Sequence, residues 1–350
     1  QAFLAIRAVC LGARGRANCP HPTAMSSADL DLVRAQLALR PTLKQKLVAH
    51  RGWHRDHAAA AADRPLENTR QAYLDAAALD VAYAECDVWV TRDEQLVLSH
   101  DFNFQAVAED PSQDLATRPI AELRWEELRR LRLRTDCKPV LLLTVLQDLL
   151  PTSTRLAIEL KSSSCAPRLA ACLAERPELS AAVGFVLSFS LEALEVAAAA
   201  LGPASGTRLV WIVNNPRVPY GEGGLDEGET TFDYSAESLP DFLERRGLTD
   251  RVRGLGCGLY LQYNPAVTAQ ALFELRAALR GLSGPGGLLG LWSDRSLDPG
   301  VDSAEALSSL LPALDLANSD LPGAFFGAVG APRPIEVSRG GNRSGGASIG

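Results

Sequence analysis

The sequence has one methionine and five histidines, and its seven cysteines (Cys10, Cys19, Cys86, Cys137, Cys165, Cys172, Cys257) form no CxxC pair. No block of lysine and arginine stands out, and the net charge is −7. That excludes the concentrated basic surface that binding a nucleic-acid backbone requires. No apolar run reaches about 18 uninterrupted residues, so no membrane span is expected. No cysteine/histidine cluster has zinc spacing, and no segment repeats. The Gly-rich dinucleotide fingerprint is also missing: Gly284, Gly286 and Gly290 have the wrong spacing and follow no clear strand, which weakens a doubly wound open sheet as the alternative fold.

Most cysteines lie in apolar stretches and read as reduced thiols in a non-oxidising, intracellular compartment, cytoplasm or organelle. Spacing alone leaves the pairing of some of them open. Residues 1–24, ahead of the sole methionine Met25, hold no acid but carry Arg7, Arg14 and Arg16. They resemble an organellar transit segment, or equally are translated sequence upstream of a start at Met25. A short helix is expected over 26–42, ended by Pro41. The expected organisation is an N-terminal extension (1–42), one main folded domain (43–323) and a Gly/Ser/Arg-rich disordered tail (324–350).

Between the two ends, short β-rich runs alternate with Ala/Leu-rich helical segments. Strands are expected at Lys46–His50, Tyr83–Val90, Gln95–Ser99, Arg155–Leu160, Gly184–Ser188, Arg208–Val213, Gly258–Tyr263, Leu288–Trp292 and Asp315–Asn318. Helices are expected at Asn68–Leu79, Ala166–Leu173, Leu191–Leu201 and Thr268–Leu279. This alternation predicts an eight-stranded (β/α) TIM-type barrel. Nine strands are one too many, and the link from Val90 to Gln95 is too short for a crossover helix, so one of that pair breaks the pattern. After the third strand, residues 101–138 read as a small insertion beside the barrel mouth, with a charged helix over Ile120–Leu131. Residues 220–241 read as a solvated Gly- and acid-rich loop.

Side chains alternate along a strand, so Glu85 and Asp87 share one face of Ala84-Glu85-Cys86-Asp87-Val88. Two carboxylates side by side repel, and desolvation adds to the cost; a divalent cation resolves both, as does a wet edge strand. Ile158-Glu159-Leu160-Lys161 repeats the pattern with Glu159 and Lys161. Three acids with oxygen ligands suit Mg²⁺ or Ca²⁺. A salt bridge from Lys161 to Glu159 is not expected, because residues two apart diverge. His50 and His100 each end an apolar strand, where barrel enzymes place their chemistry, and a histidine pair can serve as acid and base. His54 and His57 read as solvated loop residues, and Asn68 or Thr69 as a simple helix cap.

The order His50-Arg51-Gly52, Glu67-Asn68-Thr69, Glu85-Cys86-Asp87, His100-Asp101, Glu159-Leu160-Lys161 closely resembles the glycerophosphodiester phosphodiesterase family. Ser188-Phe189, Trp292-Ser293 and Ser319-Asp320-Leu321-Pro322 extend the resemblance to about residues 45–323. It implies a barrel enzyme with one divalent cation, Mg²⁺ or Ca²⁺, held by Glu85, Asp87 and Glu159. His50 and His100 are implied as the acid–base pair, Arg51 and Lys161 as phosphate contacts, Glu67 as a lining residue and Trp292 as a flank for the glycerol or leaving group. The implied reaction converts a small glycerophosphodiester to glycerol 3-phosphate and an alcohol. Two alternatives stand beside it: a lysophospholipase D-like or phospholipase C-like enzyme on the same barrel, and a non-catalytic binding protein that kept a phosphate site. The long, alanine-rich stretch from Gly52 to Glu67, Ser293 after Trp292 and the apolar Pro139–Leu143 depart from the family pattern and bear on substrate preference.

Overall fold

In the computed structural model, residues 42, 44–55, 63–218, 231–293, 307 and 309–323 are described. The N-terminal extension up to residue 41, Met25, His57, residues 220–230 of the acid-rich loop and the tail lie outside them. Among the described residues nine strands run in chain order: β1 (Leu47–Ala49), β2 (Tyr83–Val90), β3 (Leu96–Leu98), β4 (Arg155–Leu160), β5 (Val183–Ser188), β6 (Arg208–Val213), β7 (Gly258–Gln262), β8 (Leu289–Trp292) and β9 (Leu316–Ser319). Nine α-helices accompany them among the described residues: α1 (Arg70–Ala78), α2 (Asp114–Thr117), α3 (Trp125–Leu128), α4 (Leu142–Leu149), α5 (Cys165–Glu175), α6 (Leu191–Leu201), α7 (Leu239–Arg246), α8 (Thr249–Leu255) and α9 (Ala269–Ser283).

Eight of the strands are parallel and close into a barrel, because β1 pairs with β9 on one side and β2 on the other. The surplus strand is β3, which pairs antiparallel with β2. The turn between them leaves no room for a crossover, and it is locked by Thr91 N–H to Gln95 O and Glu94 N–H to Thr91 O, both 2.9 Å. A hairpin is the only pairing so short a link allows.

Barrel strands are covered on both sides, hence their near-continuous apolar character. Outward residues such as Ala84, Cys86, Val88, Ile158 and Leu160 pack under the helices. Inward residues, among them Val48, Ala157, Phe185, Val210, Tyr260 and Leu316, fill the barrel. Polar caps start several helices: the side chains of Ser190, Ser238 and Thr268 accept from the backbone N–H three residues on.

The insertion after β3 has its own small core, including Phe104, Ile120, Leu123, Leu128 and Leu133. Its expected charged helix over Ile120–Leu131 is instead a 3₁₀ turn (Ile120–Glu122) followed by the one-turn α3. The break has a cause. The Leu123 carbonyl accepts the N–H of Arg92 from the β2–β3 turn, and the Glu127 carboxylate caps the Arg124 N–H at 2.9 Å, restarting the helix. The cysteines among the described residues are all unpaired, and Cys86, Cys165 and Cys257 are buried. No helix of the described residues is long and apolar enough to cross a membrane.

Inside the barrel, the Tyr260 ring lies flat over Gly290 of the neighbouring strand. A Cβ at position 290 would sit 2.2 Å from that ring. Gly290→Ala is therefore expected to cost about 1–3 kcal/mol by overpacking, read as a lower urea midpoint at unchanged slope. An unchanged midpoint contradicts this packing.

Candidate active site

The site forms at the carboxyl ends of the strands. On β2, Glu85 and Asp87 point inward while Cys86 points into the outer core. The β2–β4 register sets Asp87 beside Glu159. The ligand oxygens of Glu85, Asp87 and Glu159 lie within 4.8 Å of one another, and all three residues are buried.

The three acids are not equally compensated. Burial raises the cost of the Asp87 charge, but Lys161 and Arg51 more than offset it and hold its carboxyl well below the usual range. Asp87 Oδ1 is 2.9 Å from Lys161 Nζ, and Asp87 Oδ2 accepts from Asn68 Nδ2 at 2.7 Å. Glu159 accepts from the same Lys161 ammonium at 2.8 Å. Glu85 differs: burial, then Asp87 and Glu159, push its pKa well up. Its Oε2 accepts the Arg51 backbone N–H at 3.0 Å, while its Oε1 is buried with no hydrogen-bond partner. A buried acceptor facing two more carboxylates fits a hard divalent cation, which would find oxygen ligands in all three acids. Two positive side chains cover the other acids, and one acceptor remains to be filled.

Two expectations are corrected here. Lys161 does pair with Glu159: residue 161 lies one past the end of β4, its N–H bonded to Val88 O, and its long side chain folds back over the strand end to bridge Glu159 and Asp87. Asn68 and Thr69 do not cap α1 with their side chains. Asn68 instead takes the Asp87 N–H at 3.2 Å and the Tyr73 hydroxyl at 2.7 Å on its Oδ1, and donates to the Asp87 carboxylate. It positions an acid.

His50 follows β1. Its Nδ1 is 2.7 Å from Asp320 Oδ1, and its Nε2 is 4.0 Å from Glu85 Oε2. Asp320, just past β9, also meets Arg55 at 3.1 Å. Burial works against its ionisation, yet His50 and Arg55 hold it well below the usual carboxylate range. An ionised carboxylate at Nδ1 favours the proton there and leaves Nε2 facing the acid cluster. His100 lies at the opposite rim, half-buried, with Nδ1 2.8 Å from Asp101 Oδ1. It is close enough to Asp87 to help hold that carboxyl ionised.

Arg51 has a left-handed backbone (φ 53°), and Gly52 follows at φ 83° so closely against Ala72 that a Cβ would lie 2.8 Å from its backbone. This bend aims the Arg51 guanidinium at Glu67 (2.9 Å) and Asp87 (3.4 Å). Trp292, inward on β8, meets Phe189 edge-on at 5.8 Å and forms an aromatic wall across the mouth. The structure brings His50, Arg51, Glu67, Glu85, Asp87, Glu159 and Lys161 into one network of contacts, with His100 near Asp87 and Trp292 against Phe189. His54, expected as a solvated loop residue, is buried; burial lowers its pKa to about 4. Asp320, Asn68 and His54 were missed as contributors. Asp320 stands in the quoted Ser-Asp-Leu-Pro stretch, but its pairing with a histidine 270 residues away carries no local signal.

Residues 50–198 match the model of the Glycerophosphoryl diester phosphodiesterase family. No curated protein sequence matches the chain. Among solved structures, a phosphodiesterase from Oleispira antarctica, in complex with the product sn-glycerol-3-phosphate, shares 19% identity at a TM-score of 0.54, covering 84% of this chain and 98% of its own. A glycerophosphodiester phosphodiesterase from Thermotoga maritima shares 21% at 0.53, covering 80% and 96%. One from Parabacteroides distasonis shares 20% at 0.52, covering 80% and 94%. At these identities the solved structures establish the barrel fold, and the family match establishes the class: a phosphoric diester hydrolase. Over residues 50–198 the chain is therefore similar to the glycerophosphodiester phosphodiesterase family.

The Asp320–His50 pair has a measurable consequence. A carboxyl whose folded pKa is depressed contributes stability above its unfolded value, lost as pH falls through the folded value. Asp320→Asn is expected to cost roughly 1–3 kcal/mol near neutrality. The deficit should shrink as pH drops below about 4. A deficit independent of pH, followed by chemical denaturation across that range, contradicts the ionised pair.

Proposed function

We propose that the chain hydrolyses glycerophosphodiesters to glycerol 3-phosphate and an alcohol, with a divalent cation, Mg²⁺ or Ca²⁺, held by Glu85, Asp87 and Glu159. The observation that carries this reading is the buried acid triad whose Glu85 Oε1 has no partner, beside a histidine held by a carboxylate. When bound, such a cation supplies Lewis-acid charge against a phosphoryl oxygen.

The chain's own groups divide the remaining work. Arg51 and Lys161 are cations fixed over the acid cluster, and both keep their charge because Asp87 and its neighbouring acids hold them well above their usual pKa against the cost of burial. They bind phosphate oxygens and oppose the negative charge that grows on them during attack. His50 Nε2 accepts the proton of the nucleophile, and its Nδ1–H remains on Asp320. His100, at the other side of the triad, donates a proton to the departing alkoxide as the P–O bond breaks. The nucleophile is water or the substrate's own glycerol hydroxyl; the second gives a cyclic phosphate that water then opens. Glu67 keeps Arg51 aimed, and Trp292 with Phe189 packs against the carbon skeleton of the substrate.

A lysolipid substrate is the second reading, favoured by Phe102, which is 54% exposed two residues beyond His100. Both readings share the chemistry and differ in the leaving side. Release of glycerol 3-phosphate from glycerophosphocholine, abolished by chelator and restored by Mg²⁺ or Ca²⁺, is the expected result; product from lysophosphatidylcholine alone moves the substrate to lipids. Failure with both substrates and both ions overturns the reading.

The division of roles is tested separately. His50→Ala and His100→Ala are each expected to lower turnover by roughly 10²–10⁴-fold, while calorimetric titration shows cation affinity nearly unchanged. Loss of cation binding along with turnover contradicts the assignment.

A further inference from the structure

The catalytic reading uses one side of the barrel mouth. In the ring of parallel strands β7 stands opposite β2, so β6, β7, β8 and β9 face the acid triad across the barrel. Register brings one residue of each to the same level. Gln262 pairs with Trp292, Val213 with Leu261 and Leu291 with Ala317, which sets Asn214 beside Gln262 and Asn318 beside Trp292. Trp292 belongs to the barrel interior, and Asn214, Gln262 and Asn318 each come two residues after an interior side chain: Ile212, Tyr260 and Leu316. Alternation along a strand therefore points all three inward.

The three carboxamides are buried, and each leaves one end without a hydrogen-bond partner: Asn214 Oδ1, Gln262 Nε2 and Asn318 Oδ1. Gln262 is anchored twice. Its Oε1 accepts the Asn215 N–H at 2.9 Å, and its backbone carbonyl accepts the Tyr234 hydroxyl at 2.7 Å, so the amide nitrogen is the end left over. Buried polar groups are nearly always paired, and an orphan asks for an explanation. Three in one row, at the carboxyl ends of their strands, share one: a ligand that meets them together.

Their chemistry defines it. An anion is repelled by carbonyl oxygens and a cation by an amide N–H, whereas a hydroxyl donates and accepts and so suits either end of a carboxamide. A trimethylammonium group offers no donor or acceptor and leaves all three unpaired. Trp292 stands within the row and, edge-on to Phe189, gives C–H groups an apolar surface. The row also adjoins His50: β9 pairs with β1, and the His50 N–H bonds Ser319 O at 2.9 Å. An alcohol that departs toward His100 moves away from this row, and the glycerol that stays on phosphorus lies against it.

We propose that Asn214, Gln262 and Asn318 hold the glycerol hydroxyls of the substrate and make the enzyme selective for a glycerol-bearing diester. The inference rests on the phosphodiesterase reading above and adds the residues that recognise the retained group.

The test is calorimetric, on the full chain in buffer with Mg²⁺ or Ca²⁺. It compares glycerol 3-phosphate with n-propyl phosphate, which carries the same phosphate and carbon chain without the hydroxyls. The wild type is expected to bind glycerol 3-phosphate tighter by about tenfold or more. Gln262→Met should cut that ratio to about threefold or less and leave n-propyl phosphate affinity within about twofold. Asn214→Leu leaves the Gln262–Asn215 bond in place and should act in the same direction, which decides the matter if Gln262→Met fails to fold. Equal affinities in the wild type, equal weakening of both ligands, or an unchanged ratio in the folded variants overturn the proposal. On glycerophosphocholine, Gln262→Met should lower kcat/KM by about tenfold, mainly through KM. A loss confined to glycerophosphoglycerol, with glycerol 3-phosphate affinity intact, assigns the row to the leaving alcohol and overturns the proposal as well. Inactivity of the wild type on every diester overturns the parent reading instead, and the calorimetric ratio still decides the row.

Discussion

Three carboxylates buried on adjacent parallel strands are the constraint around which the rest of the mouth is arranged. The β2–β4 register places Asp87 beside Glu159, and strand alternation brings Glu85 to the same face. Charges in such a place are costly unless countered. Lys161 and Arg51 answer for Asp87 and Glu159, Asn68 satisfies Asp87 further, and Glu85 keeps an oxygen without a partner. The unusual backbone at Arg51 and Gly52, and the positive φ of Asn68, serve this one cluster. Strain of that kind concentrates where a site must be held against its own preference.

The outer elements follow from the same demand. The barrel closes so that β1 and β9 stand side by side, which puts His50 against Asp320 although they lie at opposite ends of the domain. The β3 hairpin and the insertion behind it carry His100 to the other rim, where it faces Asp87. The acid cluster, His50 and His100 are therefore presented from the ends of different strands of one frame. The edge-to-face pair of Trp292 and Phe189 is carried by another part of that frame.

Much of this was legible in the sequence, and for definite reasons. Glu85 and Asp87 share one face of a strand whose other face is apolar, and Glu159 with Lys161 repeats the pattern on a second strand, so the clustering of the three acids was legible while a wet edge strand remained the alternative. The barrel was legible from the alternation of elements, and the surplus strand from the shortness of the Val90–Gln95 link. What stayed hidden depends on contacts distant in the chain or on side-chain reach. Asp320 gains its role only once β9 meets β1. Lys161 reaches Glu159 because the strand ends before it, which alternation along an unbroken strand does not foresee. The helix expected over Ile120–Leu131 yielded to a hydrogen bond from Arg92, a partner outside its own periodicity.

The central claim is that the triad holds a cation, and thermal unfolding of the chelator-treated chain tests it most directly. A carboxyl whose folded pKa is raised destabilises the fold when ionised, so stability falls as pH rises above its unfolded value of about 4.3. Glu85→Gln is therefore expected to melt higher than the wild type without cation. Added Mg²⁺ or Ca²⁺ should stabilise the wild type by about 2.7 kcal/mol at a hundredfold excess over its dissociation constant, and leave Glu85→Gln nearly unmoved. If neither ion shifts the wild-type midpoint, or both shift the variant equally, the triad is not a cation site.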